Sequence, residues 1–236
     1  MKARLESLEI LANNLANQGS AGFKADREAY GLYMAPEALE DADSLPSPPV
    51  VPVLERHWTD HTQGALAETG NAYDLAIQGR GFISVQGPSG PLYTRNGAFR
   101  VSAAGRLETL DGYAVLSDAG RPFQVRPGEA LAVSERGEVK IGGVPAGRLG
   151  LVSFPRPQDL PKREGTYFAP PNSGVAAGPF EGTVAQGRLE KANGSPAESA
   201  VRLVSILREF EMLQKAILID SEMGRRSDEV ARVSGG

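Results

Sequence analysis

The stretch Asp74-Leu75-Ala76-Ile77-Gln78-Gly79-Arg80-Gly81-Phe82-Ile83-Ser84-Val85 sets two short apolar runs on either side of a glycine pair. Runs this short, bounded by glycine, read as strands rather than helical turns. The same texture continues downstream. Apolar or β-branched runs recur at 92–94, 99–101, 107–109, 114–116, 123–125, 131–133, 139–141 and 149–154, and glycines fall between most of them. Short strands at such regular spacing predict an antiparallel, sandwich- or barrel-like domain, placed at 74–185. Gly79-Arg80-Gly81 is not a dinucleotide-binding fingerprint. The third glycine is missing, and a strand-like run follows where a phosphate-binding helix would have to begin.

The two ends have a different period. Met1, Leu5, Leu8, Ala12 and Leu15 lie four, three, four and three residues apart, which makes one stripe of a helix. Asn13, Asn14, Asn17, Gly19 and Gly22 then supply stop signals. At the other end Ala200, Leu203, Ile206, Phe210, Leu213 and Ile217 repeat in the same way. Ser195 is placed to cap that helix and Glu198 to complete a capping box, with Pro196 at the first position, where its missing N–H costs nothing. Glu198 and Arg202, Glu211 and Lys215, and Glu222 and Arg226 are acid-then-base pairs one turn apart. The helix is predicted from 196 to about 230. Two such stripes can pack on each other, on other subunits or on the central domain, and the pattern alone does not choose.

Composition removes several kinds of function. Of 236 residues 41% are hydrophobic and 23% charged, and the net charge is −4. No basic stripe marks a nucleic-acid partner. The absence of cysteine removes disulfides, thiolate metal sites and cysteine nucleophiles together. No run approaches the roughly 20 apolar residues that span a bilayer, so membrane insertion is not expected. Lys2, Arg4, Glu6 and Glu9 interrupt the start too often for the apolar core of a signal peptide.

Few residues stand out as carriers of chemistry. His57 and His61 lie four apart around Trp58, with Asp60 as a third possible metal ligand. They follow the proline-rich stretch Leu45-Pro46-Ser47-Pro48-Pro49-Val50-Val51-Pro52-Val53, so 31–73 reads as an extended linker region and the histidines as part of a polar linker around a buried Trp58. No Gly-x-Ser-x-Gly elbow and no Walker loop occurs, and nothing singles out two of the 29 acids as a catalytic pair. Asn193-Gly194-Ser195 matches a glycosylation acceptor, which the helix cap explains better, and Arg225-Arg226 reads as a solvated helix face. No catalytic residue, metal or cofactor is expected.

The segment Leu11-Ala12-Asn13-Asn14-Leu15-Ala16-Asn17, followed by Gly22-Phe23-Lys24, resembles the N-terminal signature of bacterial flagellar basal-body rod proteins and the related hook protein. The run from Asp74 through Ile83, Tyr93-Thr94-Arg95-Asn96-Gly97-Ala98-Phe99 with Gly105, Leu107 and Gly112-Tyr113, and Gly187-Arg188-Leu189-Glu190 with Asn193 and Pro196 resemble later parts of that family, in the family's order. The residue before Gly22, Ala21, stands where the family usually has threonine close by. Arg208-Glu209-Phe210-Glu211-Met212-Leu213-Gln214-Lys215 is nearer the proximal-rod than the distal-rod type.

The resemblance implies a mixed α and β chain. Its mainly-β centre is flanked by N- and C-terminal helices, at 1–30 and 186–236, which pair as a coiled coil and stack helically into a tube. It implies a structural subunit of the rod, the drive shaft that crosses the periplasm. Its partners would be other rod and hook proteins, further copies of itself and the flagellar type III export apparatus, with export without a cleaved signal. It also implies further helical turns ahead of Met1. The residues expected to carry assembly are Leu5, Leu8, Ala12, Asn13, Asn14, Leu15, Asn17, Gly22, Phe23, Leu203, Ile206, Phe210, Leu213 and Ile217. Two other functions compete: an enzyme acting on the cell wall, which would need a cleft acid of raised pKa, and a cytosolic β-domain binding module whose helices dimerise.

Overall fold

A computed structural model describes residues 2–34, 50–126, 128–170 and 177–234. Two α-helices lie among them, α1 (Lys2–Asn17) and α2 (Pro196–Ser234). The strands in chain order are β1 (Asp26–Met34), β2 (Val50–Thr59), β3 (Leu66–Glu68), β4 (Leu75–Arg80), β5 (Phe82–Gly87), β6 (Gly90–Thr94), β7 (Phe99–Val101) and β8 (Leu107–Thr109). They continue as β9 (Ala114–Val115), β10 (Leu131–Val133), β11 (Glu138–Ile141), β12 (Val144–Arg148), β13 (Leu151–Val152), β14 (Tyr167–Phe168), β15 (Glu181–Gln186) and β16 (Arg188–Glu190). The fold is mainly β with antiparallel sheets and a helix near each end.

The chain divides into two compact units. One comprises Met1–Leu15, Tyr30–Glu55 and Ser195–Gly236; the other comprises Ala16–Ala29 and Arg56–Gly194.

The second unit is built round a seven-stranded sheet of order β14-β6-β5-β9-β8-β7, with β13 also paired to β5. β10-β11-β12 form a three-stranded sheet, and β4 with β15 and β3 with β16 form two-stranded ones. β5, Phe82-Ile83-Ser84-Val85-Gln86-Gly87, is covered on both faces at its start. Alternate side chains of a strand point to opposite faces. Ile83 and Val85 enter the main core with Leu75, Leu107, Val115, Val139 and Leu149, while Phe82 enters a smaller cluster with Phe154, Leu160 and Phe168. The first two positions of β5 are therefore both apolar, and even Ser84 is buried.

Most predicted runs are strands, with two exceptions. Phe123 and Val125 are buried, yet 123–125 forms no strand: Gln124 makes one bridge to Arg106, and Leu107 N–H donates to the Phe123 carbonyl. The run 149–154 shortens to β13, because Leu149 N–H turns to the Gly137 carbonyl and Ser153 pairs with Gly178. Seven strands, β1, β2, β3, β12, β14, β15 and β16, fall outside the predicted runs, and two of them show the reason. β12 is exposed at every position, and of β15 only Val184 is buried, so neither carries an apolar pattern.

The reading of a polar linker with a buried Trp58 is corrected. Val50–Thr59 is strand β2, paired with β1, and Trp58 is half-buried beneath the Arg56 guanidinium at 5.1 Å. A two-stranded ribbon leaves one edge of each strand free, which accommodates Pro52. Residues 45–49 of the proline-rich stretch lie outside the described residues.

Helix α1 ends at Asn17, at the predicted stop, and α2 starts at Pro196. Ser195 Oγ accepts from the Glu198 N–H at 3.3 Å, as a cap should.

Candidate functional site: a buried charge knot

The residues after α1 run into the β-rich unit as Gly22-Phe23-Lys24. Gly22 has φ +65°, and its N–H donates to the Glu190 carbonyl at 2.7 Å. Phe23 is 1% exposed, with the Lys162 ammonium 4.2 Å from its ring centre. That ammonium also donates to the Lys24 carbonyl at 2.7 Å and to Asp26 Oδ2 at 2.8 Å.

Lys24 itself is fully buried. Its Nζ donates to Glu190 Oε1 and to the Thr62 carbonyl, both at 2.6 Å. Arg95, 5% exposed, donates through Nη1 to Glu190 Oε2 at 3.2 Å and through Nη2 to the Gly79 carbonyl at 2.6 Å. The Gly64 N–H adds a third donor to the Glu190 carboxylate, at 2.9 Å. Asn193 closes the arrangement. Its Oδ1 accepts from the Ala25 N–H at 2.8 Å and its Nδ2 donates to the Asp60 carbonyl at 2.7 Å.

Two buried cations therefore share one buried carboxylate. Burial pulls the pKa of Lys24 and of Arg95 down, because the charged form loses water, and the Glu190 charge opposes that fall. The side-chain donors and acceptors of the knot are largely spent on one another and on backbone carbonyls. Its chemistry is mechanical: it ties residues 22–25, 60–64, 95 and 190–193 to one point.

His61 borders the knot. Its ring packs 4.9 Å from Phe168 and 5.6 Å from Phe82, and neither ring nitrogen has a hydrogen-bond partner among the described residues. Burial first, then the charges of Lys24, Arg95 and Lys162, push its pKa down to about 4. The unfolded chain takes up this proton near 6.5, so between the two values the unfolded state binds more protons. The contribution to stability is complete above pH 6.5 and is lost as pH falls towards about 4, at up to about 1.4 kcal/mol per pH unit. In urea titrations across this window, the wild-type chain should lose stability on acidification faster than His61→Gln. Parallel curves would remove His61 from the account. His57 is exposed on β2, while His61 lies beyond that strand's end. Among the described residues no three His, Cys, Asp or Glu gather closely enough to hold a metal.

The predicted assembly residues fall into two groups. Gly22 and Phe23 are buried in the knot. On α1, Leu5 is 46% exposed, Ala12 and Asn13 are exposed, and Leu8, Leu15 and Asn17 are half-buried. The face that is covered carries Ser7, Leu11 and Asn14, roughly a third of a turn round from the leucine stripe. On α2, Ile206 is buried and Leu203 and Phe210 are half-buried; the side chains of Leu213 and Ile217, like Met1, lie outside the described residues. Lys24, Arg95, Glu190 and Asn193 were not singled out as a site. The available signal was a charge set among small and aromatic neighbours, as in Gly22-Phe23-Lys24, but their pairing across more than 160 positions has no local trace.

The residues of the knot are those that carried the family resemblance, and comparison with known proteins agrees. Residues 76–141 match the sequence model of the flagellar hook protein FlgE/F/G D1 domain. The flagellar basal-body rod protein FlgF of Caulobacter vibrioides is 34% identical over 94% of this chain and 90% of its own length. FlgF of Rhizobium meliloti is 31% identical over 91% and 87%, and the rod protein FlgG of Agrobacterium fabrum 30% identical over 94% and 93%. With the signatures in order, joined at one buried point, and the likeness running along nearly the whole chain, this chain belongs to the flagellar basal-body rod protein family.

Proposed function

We propose that the chain is a structural subunit of the flagellar rod, of the proximal FlgF type, built into the polymer through α1 and α2. The observation that carries this reading is the extent of the likeness, which takes in both ends as well as the β-rich centre. The run Phe210-Glu211-Met212 favours FlgF over FlgG. In this reading the helices pair as a coiled coil, the sandwich- or barrel-like β part faces outward, and the subunit acts in the periplasmic rod after leaving the cell without a cleaved signal. Its partners are other rod and hook proteins, further copies and the export apparatus.

The surfaces of the helices support it. Besides the stripe of Leu203, Ile206 and Phe210, α2 carries Val201, Met212, Ile219 and Met223 on its opposite side, each between 59% and 67% exposed. A helix apolar on two sides has a use for two neighbours.

Leu203→Asp places a charge in the first stripe, and Phe210→Ala removes its largest side chain, a change that costs about 3–5 kcal/mol where phenylalanine is fully packed. Each variant, supplied to a strain lacking its own FlgF-type protein, should fail to restore swimming and should be missing from purified basal bodies. The melting of the β-rich unit should stay at its wild-type temperature. Full motility in both variants would end the claim that this stripe is an assembly seam.

A further inference from the structure

The β-rich unit contains a cleft of about 640 Å³ whose lining includes Arg56, Arg80, Arg95 and His61. Arg95 reaches it from the knot, and its Nε, though buried, has no hydrogen-bond partner among the described residues. The ring of His61, which also lines the cleft, adds one donor and one acceptor nitrogen, and neither has a partner among the described residues. A buried donor without a partner costs about 1–3 kcal/mol, so a cleft that keeps two of them suits a ligand that accepts.

Arg56 and Arg80 are exposed on the same cleft, and neither makes an ion pair among the described residues. Arg95 is paired with Glu190, and against the two unpaired guanidinium groups the lining offers one carboxylate. That is Asp60, already engaged by Arg27 Nε at 3.5 Å and by the Thr62 N–H at 3.0 Å. Trp58, Phe82 and Phe154 give the cleft an apolar wall. The matching ligand is a strand of polypeptide with several carboxylates and apolar residues between them.

The chain contains such a segment. From Glu28 to Glu55 it has no lysine or arginine, and Glu37, Glu40, Asp41 and Asp43 stand among alanine, leucine and proline. We infer that the cleft is a docking site between subunits, and that it takes the acidic segment 37–43 of a second copy of this chain. Guanidinium groups facing carboxylates across an interface fix register and raise the association rate, which a polymer needs. The inference rests on the reading of the chain as a polymer subunit. A direct binding test keeps the two apart, because that reading stands or falls on motility and rod recovery.

The test uses the full chain and a labelled synthetic peptide of residues 35–49, with binding read by fluorescence anisotropy. The chain has one tryptophan, and it lies in the cleft, so Trp58 emission reports where the peptide sits. Anisotropy should saturate together with a change in Trp58 emission, and affinity should fall steeply with added salt as the charges are screened. Arg80→Glu and Arg56→Glu should each weaken binding about tenfold or more, with unchanged melting. A peptide with Gln and Asn in place of the four acids should not bind. A chain whose own Glu37, Glu40, Asp41 and Asp43 are replaced by Gln and Asn should take the native peptide with affinity comparable to the parent. The inference is overturned if no saturable binding occurs up to about 1 mM peptide. It is equally overturned if binding survives the charge reversals. Binding to the acid-free chain alone would also overturn it, by showing that each chain fills its own cleft.

Discussion

Glu190→Ala should lower the stability of the β-rich unit by about 3–5 kcal/mol, because it strands two buried cations. Lys24 and Glu190 are fully buried and Arg95 is 5% exposed, so no water is at hand to replace the lost carboxylate. The Gly64 N–H loses its acceptor at the same time. A single domain is typically stable by about 5–15 kcal/mol, so the change removes a large part of the total. The charge imbalance gives an order among variants. Lys24→Met leaves Arg95 and Glu190 as a balanced pair, whereas Glu190→Ala leaves two cations and no anion. Lys24→Met should therefore be the milder change, and Glu190→Gln, which keeps the shape without the charge, should lie close to Glu190→Ala. Urea denaturation of the three variants checks the order. If Glu190→Ala stays within about 1 kcal/mol of the wild type, the knot is not holding the unit together.

Gly22→Ala should cost about 2–5 kcal/mol through two effects that act in the same direction. At φ +65° an L side chain meets its own backbone, a cost of roughly 1–2 kcal/mol. The added methyl would also stand 2.2 Å from the carbonyl carbon of Arg95 and 2.3 Å from the amide nitrogen of Asn96, and that peptide unit is backbone rather than a soft side chain to displace. Overpacking of that kind adds about 1–3 kcal/mol. The segment that must move to relieve it carries Phe23 and Lys24, so the knot loosens with it. Gly19→Ala is the control, since nothing lies within 4 Å of a methyl there. Thermal melting should show a large fall for Gly22→Ala and little change for Gly19→Ala. Equal melting temperatures would mean that the chain can leave α1 by another path.

Glycine 22 also marks how far the sequence could be read. Its role as a stop signal after a helix was legible, because helix ends and turns are decided by neighbouring residues. The start of α2 was legible for the same reason, since Ser195, Pro196 and Glu198 sit within one turn of each other. The strands of the main sheet were legible where both faces are covered, as at the start of β5, because burial on two sides sets apolar residues such as Phe82 and Ile83 side by side. β12 and β15 were not, since strands of mostly exposed residues carry no such run.

The sequence by itself determined the class of the fold, the ends of its helices and its membership in a family, because periodicity, capping and signature motifs are all local properties. Only the tertiary structure decided that Lys24, Arg95 and Glu190 form one cluster, since a charge carries no mark of the partner it meets more than 160 residues away. It also decided which face of α1 a single chain covers. Ser7, Leu11 and Asn14 are buried where the apolar stripe pointed to Leu5, Leu8, Ala12 and Leu15. Periodicity states that a face is apolar, and burial depends on which surface arrives to cover it.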